Sequence, residues 1–274
     1  ADRVSAPCRH FKSCGGCSMQ HASDGFVAKW KADIVVRALS AHGILCDIQD
    51  VYTSETRSRR RAKLAGRRTK KGTMVGFHAR GSDTLVEVPD CILLSPALMA
   101  SMPALHALTV LSASRKGEVA FTVTESLDGA DIHIAAEKEL TEELRVELAA
   151  VANAHGVARL VWKDEPVVSI LPARQNFGGV IVVPPPGAFL QATKDGEVAL
   201  QKAVAGIVGK ASKVVDLFAG SGTFSLPLAM SAEVHAVEGS KEMMAALDAG
   251  WRNGRNLHRV TTEAIDAHAR RMAK

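Results

Sequence analysis

The stretch Val214–Ser225, Val-Val-Asp-Leu-Phe-Ala-Gly-Ser-Gly-Thr-Phe-Ser, decides the fold class of this chain. Its first residues are apolar and β-favouring, so they predict a buried strand. Gly220 and Gly222 follow, and a glycine turn lets a ligand approach the backbone where a Cβ atom would collide. A second apolar run ends at Glu238, about 20 residues downstream, where a carboxylate can accept hydrogen bonds from a ribose diol. The pattern predicts a strand, a tight turn, the start of a helix and a nucleotide half-site.

The chemistry of this half-site depends on residues around the glycines. Glycine turns also end ordinary strands in α/β proteins, so the loop by itself leaves a purely structural interpretation open. A dinucleotide fingerprint would place a third glycine at Ser225. The absence of that glycine, together with Asp216 inside the strand, favours an S-adenosylmethionine site over a pyrophosphate site.

The order of elements along the chain predicts two domains. Strand and helix patterns alternate from Lys194 to Trp251, which predicts a parallel sheet with right-handed crossovers. Upstream, strand patterns separated by turns predict an α+β region with antiparallel hairpins. The triplet Pro184–Pro186 breaks regular structure and marks the junction. We therefore expect an α+β domain over 1–183 and, over 184–274, the N-terminal part of a Rossmann-like α/β domain.

Composition limits the classes of protein to which the chain can belong. With 274 residues, 47% of them hydrophobic, it can form one large or two ordinary domains with real cores. No run approaches the roughly 18 apolar residues of a membrane span, and the first residues lack the order of charges of a signal peptide. We expect a cytoplasmic protein without a membrane partner, and a monomer.

The cysteines predict a metal centre. Cys8, Cys14 and Cys17 lie close together near the start of the chain, and Cys91, at the end of a strand-like run, is the best candidate for a fourth ligand; Cys46 follows a helix. Four thiolates suit tetrahedral zinc or an iron–sulfur cluster. Zinc ribbons usually pair two Cys-x2-Cys knuckles, and only one occurs here, which favours the cluster. The remaining alternative is a set of unrelated buried cysteines.

An amphipathic helix is predicted from Ser23 to Gly43. Phe26, Trp30 and Ile34 belong to its apolar stripe, while the lysines face elsewhere. We interpret this helix as a packing element that could reach the C-terminal domain.

A dense basic run lies between Arg57 and Lys71, where nine of the 34 lysines and arginines occur without an acid among them. The pattern predicts a β-hairpin that turns near Thr69–Gly72. Such a run is either a solvated face or a surface for the phosphates of RNA or DNA. The low aromatic content of 4% argues against base stacking as the main mode of recognition. The candidate RNA-binding residues are Arg57, Arg59, Arg60, Arg61, Lys63, Arg67 and Arg68.

Together, the cysteine pattern, the Gln20-His21 pair that follows it and the Asp-Leu-Phe-Ala-Gly-Ser-Gly-Thr-Phe loop carry a family resemblance. The chain resembles the RNA uracil-5-methyltransferases, especially the bacterial 23S ribosomal RNA branch that carries a [4Fe-4S] cluster. The resemblance implies that Cys8, Cys14, Cys17 and Cys91 hold the cluster and that S-adenosyl-L-methionine is the cofactor. The predicted cofactor-binding residues are Gln191, Asp216, Phe218, Gly220, Gly222, Glu238 and Glu263.

The resemblance also implies a reaction. A cysteine thiolate adds to C6 of a flipped-out uracil, C5 takes the methyl group from the sulfonium, and a base removes the C5 proton. The family's Ser-Cys-Asn-Pro-like motif for the nucleophile does not occur in this sequence, so no catalytic residue is assigned. We expect the nucleophile to lie outside this chain and the chain alone, as a truncated enzyme, to be inactive. The alternatives are a non-catalytic Fe-S RNA-binding module with a vestigial cofactor site and a methyltransferase for an exocyclic amine.

Overall fold

A computed structural model describes residues 2–115 and 117–265. The predicted mixture of an antiparallel α+β part and a parallel α/β part is confirmed by its sheets. The first sheet has seven strands in the order β3-β2-β1-β4-β5-β6-β7, and the last has three in the order β10-β11-β12. None of the helices in the described ranges is long and apolar enough to span a membrane.

The seven-stranded sheet is antiparallel except where β5 runs parallel to β6. Its first two strands form the predicted hairpin, which pairs Thr69 with Gly72. Successive side chains of a strand point to opposite faces of the sheet, and one face of this sheet is buried. On β4, the alternate residues Val119, Phe121 and Val123 are fully buried. The strands are β1 (Arg61–Thr69), β2 (Gly72–His78), β3 (Leu85–Glu87), β4 (Glu118–Ser126), β5 (Gly129–Ala135), β6 (Val157–Trp162) and β7 (Glu165–Ser169).

Four helices belong to this N-terminal part: α1 (Asp24–Ser40), α2 (Pro96–Ala100), α3 (Met102–Ser112) and α4 (Glu142–Ala154). The helix predicted over 95–111 is divided at Ser101 into α2 and α3. Pro103 has no N–H for the carbonyl one turn earlier, which accounts for the break. Helices α3 and α4 pack on the buried face of the sheet, where Leu105, Leu108 and Leu148 are completely covered.

Helix α1 differs from the prediction in its packing. It begins where expected, because the Ser23 hydroxyl accepts a hydrogen bond from the Phe26 N–H. However, none of its residues is buried, and the apolar side chains of Trp30 and Ile34 are 39% and 45% exposed. The expected packing surface is therefore not found among the described residues.

The C-terminal part forms the predicted strand–helix alternation. Its parallel strands are β10 (Lys213–Leu217), β11 (Glu233–Glu238) and β12 (Val260–Ala264), and its helices are α5 (Lys194–Val208), α6 (Ser225–Leu228) and α7 (Lys241–Asn253). A short hairpin, β8 (Gln175–Phe177) and β9 (Val180–Val182), precedes them. Phe177 and Val182 of that hairpin pack in the second hydrophobic core, together with Leu226 and Leu247. By packing, this hairpin belongs with the C-terminal part, although it precedes the proline triplet used to predict the boundary.

Candidate functional site

The glycine turn follows β10 at the carboxyl end of the parallel sheet, where open α/β sheets bind ligands. Phe218 has a left-handed backbone with φ of 61°, which is strained for a residue other than glycine, and its side chain is 86% exposed. A Cβ atom on Gly220 would meet no heavy atom within 4 Å, so the space above this turn is open. The turn is a strained, open cradle.

Glu238 closes one side of this cradle. Its carboxylate accepts hydrogen bonds from the N–H of Gly220 at 3.0 Å, of Gly239 at 2.7 Å and of Ser240 at 3.2 Å. The end of β11 is therefore in direct contact with the glycine turn. A ribose diol bound by this carboxylate would replace some of these backbone donors.

The Asp216 side chain lies beneath the glycine turn and contacts Ser225, not the open space above the turn. Its carboxylate accepts a hydrogen bond from the Ser225 hydroxyl at 2.6 Å. Burial raises the pKa of Asp216, and the Ser225 hydrogen bond lowers it in part. Ser225 is fully buried at the start of α6. Asp216 therefore braces the turn from within, through the residue that replaces the third glycine; the motif comparison did not predict this contact.

Ser221 is a second feature that sequence reasoning missed. Its hydroxyl lies buried between the two glycines and has no hydrogen-bond partner among the described residues. A buried polar group without a partner is costly unless a ligand or water satisfies it. The orphan hydroxyl and the open space over Gly220 fit a polar cofactor such as S-adenosylmethionine at this turn.

Gln191 lies in the extended segment that leads into α5. Thr193 caps this helix by accepting a hydrogen bond from the Gly196 N–H at 3.1 Å. Farther along α5, Gln201 Nε2 donates to the carbonyl of Thr223 at 2.9 Å. Helix α5 thus connects the Gln191 segment with the glycine turn.

Glu263 is placed differently from the other predicted cofactor residues. It lies on β12, paired in register with Val237. Its carboxylate is 3.1 Å from His235 Nε2. Glu263 therefore contacts the His235 ring rather than the glycine turn.

The four predicted metal-ligating cysteines line one small cavity, with a volume of about 10 Å³. Cys14 and Cys91 are buried, and Cys8 and Cys17 are half-buried. Burial raises the pKa of the Cys14 and Cys17 thiols, and the neighbouring thiols raise it further. Even so, no group of three or more His, Cys, Asp or Glu side chains within the described residues stands at the geometry of a metal site. The four cysteines therefore share one cavity, but their side chains do not stand at ligation distance from a common point.

The predicted RNA-binding residues do not form a single surface. The Arg60 side chain is only 5% exposed and pairs with Glu197 at 2.5 Å, so the prediction that Arg60 contacts RNA is corrected: it faces the interior. Arg67 pairs with Glu118 at 2.7 Å. Strand alternation places Arg61 and Lys63 on one face of β1 and Arg68 on the other.

Arg57, Arg59 and Arg61 lie at the beginning of the basic run and differ in exposure. Arg57 is exposed, with a left-handed φ of 58°. Arg59 donates from Nε to the Arg61 carbonyl at 3.1 Å. The Arg61 guanidinium lies 5.9 Å from the centre of the Phe189 ring, and its buried Nε has no acceptor among the described residues. Burial and the nearby Arg59 lower the pKa of Arg61.

No protein-family model matches the chain. It is 38% identical over 277 residues to an uncharacterized RNA methyltransferase of Rhizobium meliloti, an alignment that covers 99% of this chain and 67% of the relative. It is 32% identical over 261 residues to the 23S rRNA (uracil(1939)-C(5))-methyltransferase RlmD of Shewanella halifaxensis, covering 89% of this chain and 58% of the relative.

A solved structure shares the fold. The tRNA (uracil-54, C5)-methyltransferase of Pyrococcus abyssi, in complex with S-adenosyl-L-homocysteine, superposes with a TM-score of 0.70 at 17% identity, covering 96% of this chain and 66% of that one. The fold and the glycine turn define an α/β protein with an open backbone turn at the carboxyl end of its parallel sheet. Within that class, the chain belongs to the RNA methyltransferase family that includes the uracil-C5 enzymes. It spans about two thirds of the length of the first curated relatives that it matches.

We predict that Asp216→Asn makes the stability of the protein less dependent on pH. Because burial raises the folded-state pKa of Asp216, the folded chain holds this proton to higher pH than the unfolded chain does. The stabilisation from this proton is complete below the unfolded-state pKa of about 4 and is lost as pH rises through the folded-state pKa. Asparagine carries no charge and still accepts the Ser225 hydrogen bond.

Thermal denaturation at successive pH values from about 4 to neutral measures this difference. The melting temperature of the wild type should fall relative to that of Asp216→Asn over this range. Glu233→Gln, an exposed carboxylate on the same sheet, is the control and should follow the wild type. Parallel curves for the wild type and Asp216→Asn would show that ionisation of the buried Asp216 does not lower the stability of the fold.

Proposed function

We propose that this chain binds S-adenosyl-L-methionine at the glycine turn, as part of a protein that methylates C5 of a uracil base in RNA. The observation that carries the proposal is the contact between the Gly220 N–H and the Glu238 carboxylate at the open end of a parallel sheet. It occurs in a chain that is 38% identical to an RNA methyltransferase. The name of the Shewanella relative specifies 23S ribosomal RNA, which we take as the substrate class.

The chain's own residues would hold the cofactor in three places. The Glu238 carboxylate would accept the ribose hydroxyls, the open backbone at Gly220 would allow close approach, and the Ser221 hydroxyl would gain a partner. Gln191 and Phe218 are proposed as further contacts. When bound, S-adenosylmethionine supplies a methyl group on a sulfonium. The product that leaves, S-adenosylhomocysteine, is a neutral thioether and needs no proton.

The proposed reaction needs a thiolate that adds to C6 of the uracil, which makes C5 nucleophilic; after methyl transfer, loss of the C5 proton expels the thiolate. Four of the five cysteines line the cavity described above, and Cys46 lies in the irregular segment after α1. None of them is assigned as the nucleophile. Its location outside this sequence stays a prediction, as does a monomeric state.

We predict that Glu238→Ala weakens S-adenosylhomocysteine binding by about 10- to 100-fold, because a charged acceptor of two ribose hydrogen bonds is lost. Isothermal titration calorimetry measures the affinity. Glu233→Ala removes a carboxylate at the other end of β11 and should bind as the wild type does. Glu263→Ala tests whether Glu263, also a predicted cofactor-binding residue, contacts the ligand.

The outcomes separate the alternatives. Equal affinity of Glu238→Ala and the wild type would exclude the ribose contact at this residue. If the wild type itself does not bind, the half-site is vestigial, and the chain is better described as a non-catalytic RNA-binding module.

We further propose that Cys8, Cys14, Cys17 and Cys91 hold a [4Fe-4S] cluster in preference to zinc. Their common cavity supports this proposal. Four close thiols cannot all ionise in a buried cavity unless a cationic centre compensates their charge, and the raised pKa values of Cys14 and Cys17 reflect that cost. The cluster would draw the four sulfur atoms to ligation distance. Its expected contribution is to tie the N-terminal segment to the end of β3.

Anaerobic purification of the chain should give a brown protein with roughly four iron atoms per chain. Cys14→Ser should lose the colour and most of the iron. Cys46→Ser, at a cysteine outside the cavity, is the matched control and should keep both. A colourless protein with stoichiometric zinc would overturn the cluster.

We propose that RNA phosphates bind the face of β1 on which Arg61 and Lys63 lie. Strand alternation directs both side chains away from the core. Arg61 is half-buried and its Nη2 donates to the Gly187 carbonyl at 3.3 Å, while Lys63 is exposed. Arg61 also lies over Phe189, which is 66% exposed and close in sequence to Gln191. This face would lead the RNA backbone toward the cofactor segment.

Replacement of both residues, Arg61→Gln with Lys63→Gln, should lower the salt dependence of binding to a single-stranded uridine oligonucleotide. About 0.7 of slope, in log K against log salt, should be lost for each phosphate contact. Arg68→Gln, on the opposite face of the same strand, is the matched control. An unchanged slope in the double variant, or an equal loss in Arg68→Gln, would contradict this assignment.

A further inference from the structure

The residues that lead into β1 are joined to the segment that contains Gln191. The Arg60 N–H donates to the Ala192 carbonyl at 2.9 Å, and Arg60 Nε donates to the Gln191 carbonyl at 3.1 Å. The neighbouring Arg59 forms an antiparallel bridge with Thr193. The basic run and the proposed cofactor segment, far apart in sequence, therefore share a short two-stranded contact.

The Arg60 side chain extends this contact into α5. Its Nη2 lies 2.5 Å from the Glu197 carboxylate, and the two side chains are 5% and 2% exposed. Burial raises the pKa of Glu197, and the charge of Arg60 lowers it. The desolvation of a buried ion pair often cancels its attraction, and apolar pairs of similar volume can stabilise a fold as well or better. Stability alone therefore does not explain this pair.

The position of the Arg60–Glu197 pair suggests a role in holding the cofactor segment. One guanidinium group fixes two elements, since Nη2 holds the first turn of α5 and Nε holds the main chain of Gln191. Helix α5 then reaches the glycine turn, where Gln201 donates to the Thr223 carbonyl. Arg60 thus contacts both the Gln191 main chain and α5, and α5 in turn contacts the glycine turn.

We propose that Arg60 is a positioning residue for the cofactor site rather than a phosphate contact. By holding the Gln191 main chain and the start of α5, it sets the direction of the Gln191 side chain toward the cofactor. This role rests on the proposed binding of S-adenosylmethionine by this chain. Adjacent residues of one basic run therefore have different roles: Arg60 is buried and orders the cofactor segment, whereas Arg61 is half-buried on the other face of the chain.

Arg60→Lys tests the role without removing the charge that faces Glu197. A lysine ammonium is a single point donor, so it cannot serve both Glu197 and the Gln191 carbonyl as the planar guanidinium does. The expected result is an S-adenosylhomocysteine affinity about three- to tenfold weaker than that of the wild type, since the Gln191 segment must then be ordered when the cofactor binds. The salt slope of uridine-oligonucleotide binding should not change.

The double variant Arg60→Met with Glu197→Leu distinguishes positioning from stability. An apolar pair should keep the fold at least as stable in thermal denaturation. The cofactor affinity should nevertheless fall as it does in Arg60→Lys. Arg68→Lys, at an exposed arginine of the same basic run, is the matched control and should change neither quantity.

Wild-type affinity in both Arg60 variants would overturn the positioning role, and a salt slope that falls by about 0.7 in Arg60→Lys would make Arg60 a phosphate contact instead. If the wild type does not bind S-adenosylhomocysteine, the proposed function fails, and the role of Arg60 fails with it. Weak binding by the variants beside a binding wild type is the outcome that supports the inference.

Discussion

The parallel pairing of β10 with β11 is the constraint on which the candidate site depends. It aligns Asp216 with Ala236, so the two strands end side by side and Glu238 meets the glycine turn. The turn can then take its left-handed conformation because it is braced from both sides, by Glu238 outside and by the buried Asp216–Ser225 hydrogen bond inside. Neither brace contributes to an ordinary apolar core. The buried Asp216 carboxylate and the strained Phe218 backbone cost folding free energy, which is typical of a ligand-binding loop.

The second constraint is the junction between the two sheets. The seven-stranded sheet carries the basic run, and the three-stranded sheet carries the glycine turn, so RNA and cofactor contacts would come from different parts of the chain. The Arg60–Glu197 pair and the backbone contact with Ala192 join these parts. Such a junction would let the position of the RNA surface set the position of the cofactor segment.

Local patterns were predictable from the sequence, whereas long-range partners were not. The strand and turn of Val214–Ser225 and the hairpin at Thr69–Gly72 follow from short-range residue preferences. The sequence did not distinguish Arg60 from its basic neighbours, because its partner Glu197 lies 137 residues away. The exposed stripe of α1 shows the same limit: amphipathic periodicity predicts a helix, but it does not say what covers it.

Photolabelling with tritiated S-adenosylmethionine tests the central claim, that the glycine turn of this chain is a cofactor cradle, most directly. The chain would be irradiated with the labelled cofactor, digested, and its labelled peptides identified by mass spectrometry. The account predicts label in peptides that contain Phe218, Glu238 or Gln191, and loss of that label when S-adenosylhomocysteine is added. Label confined to other peptides, or label that S-adenosylhomocysteine does not displace, would contradict it.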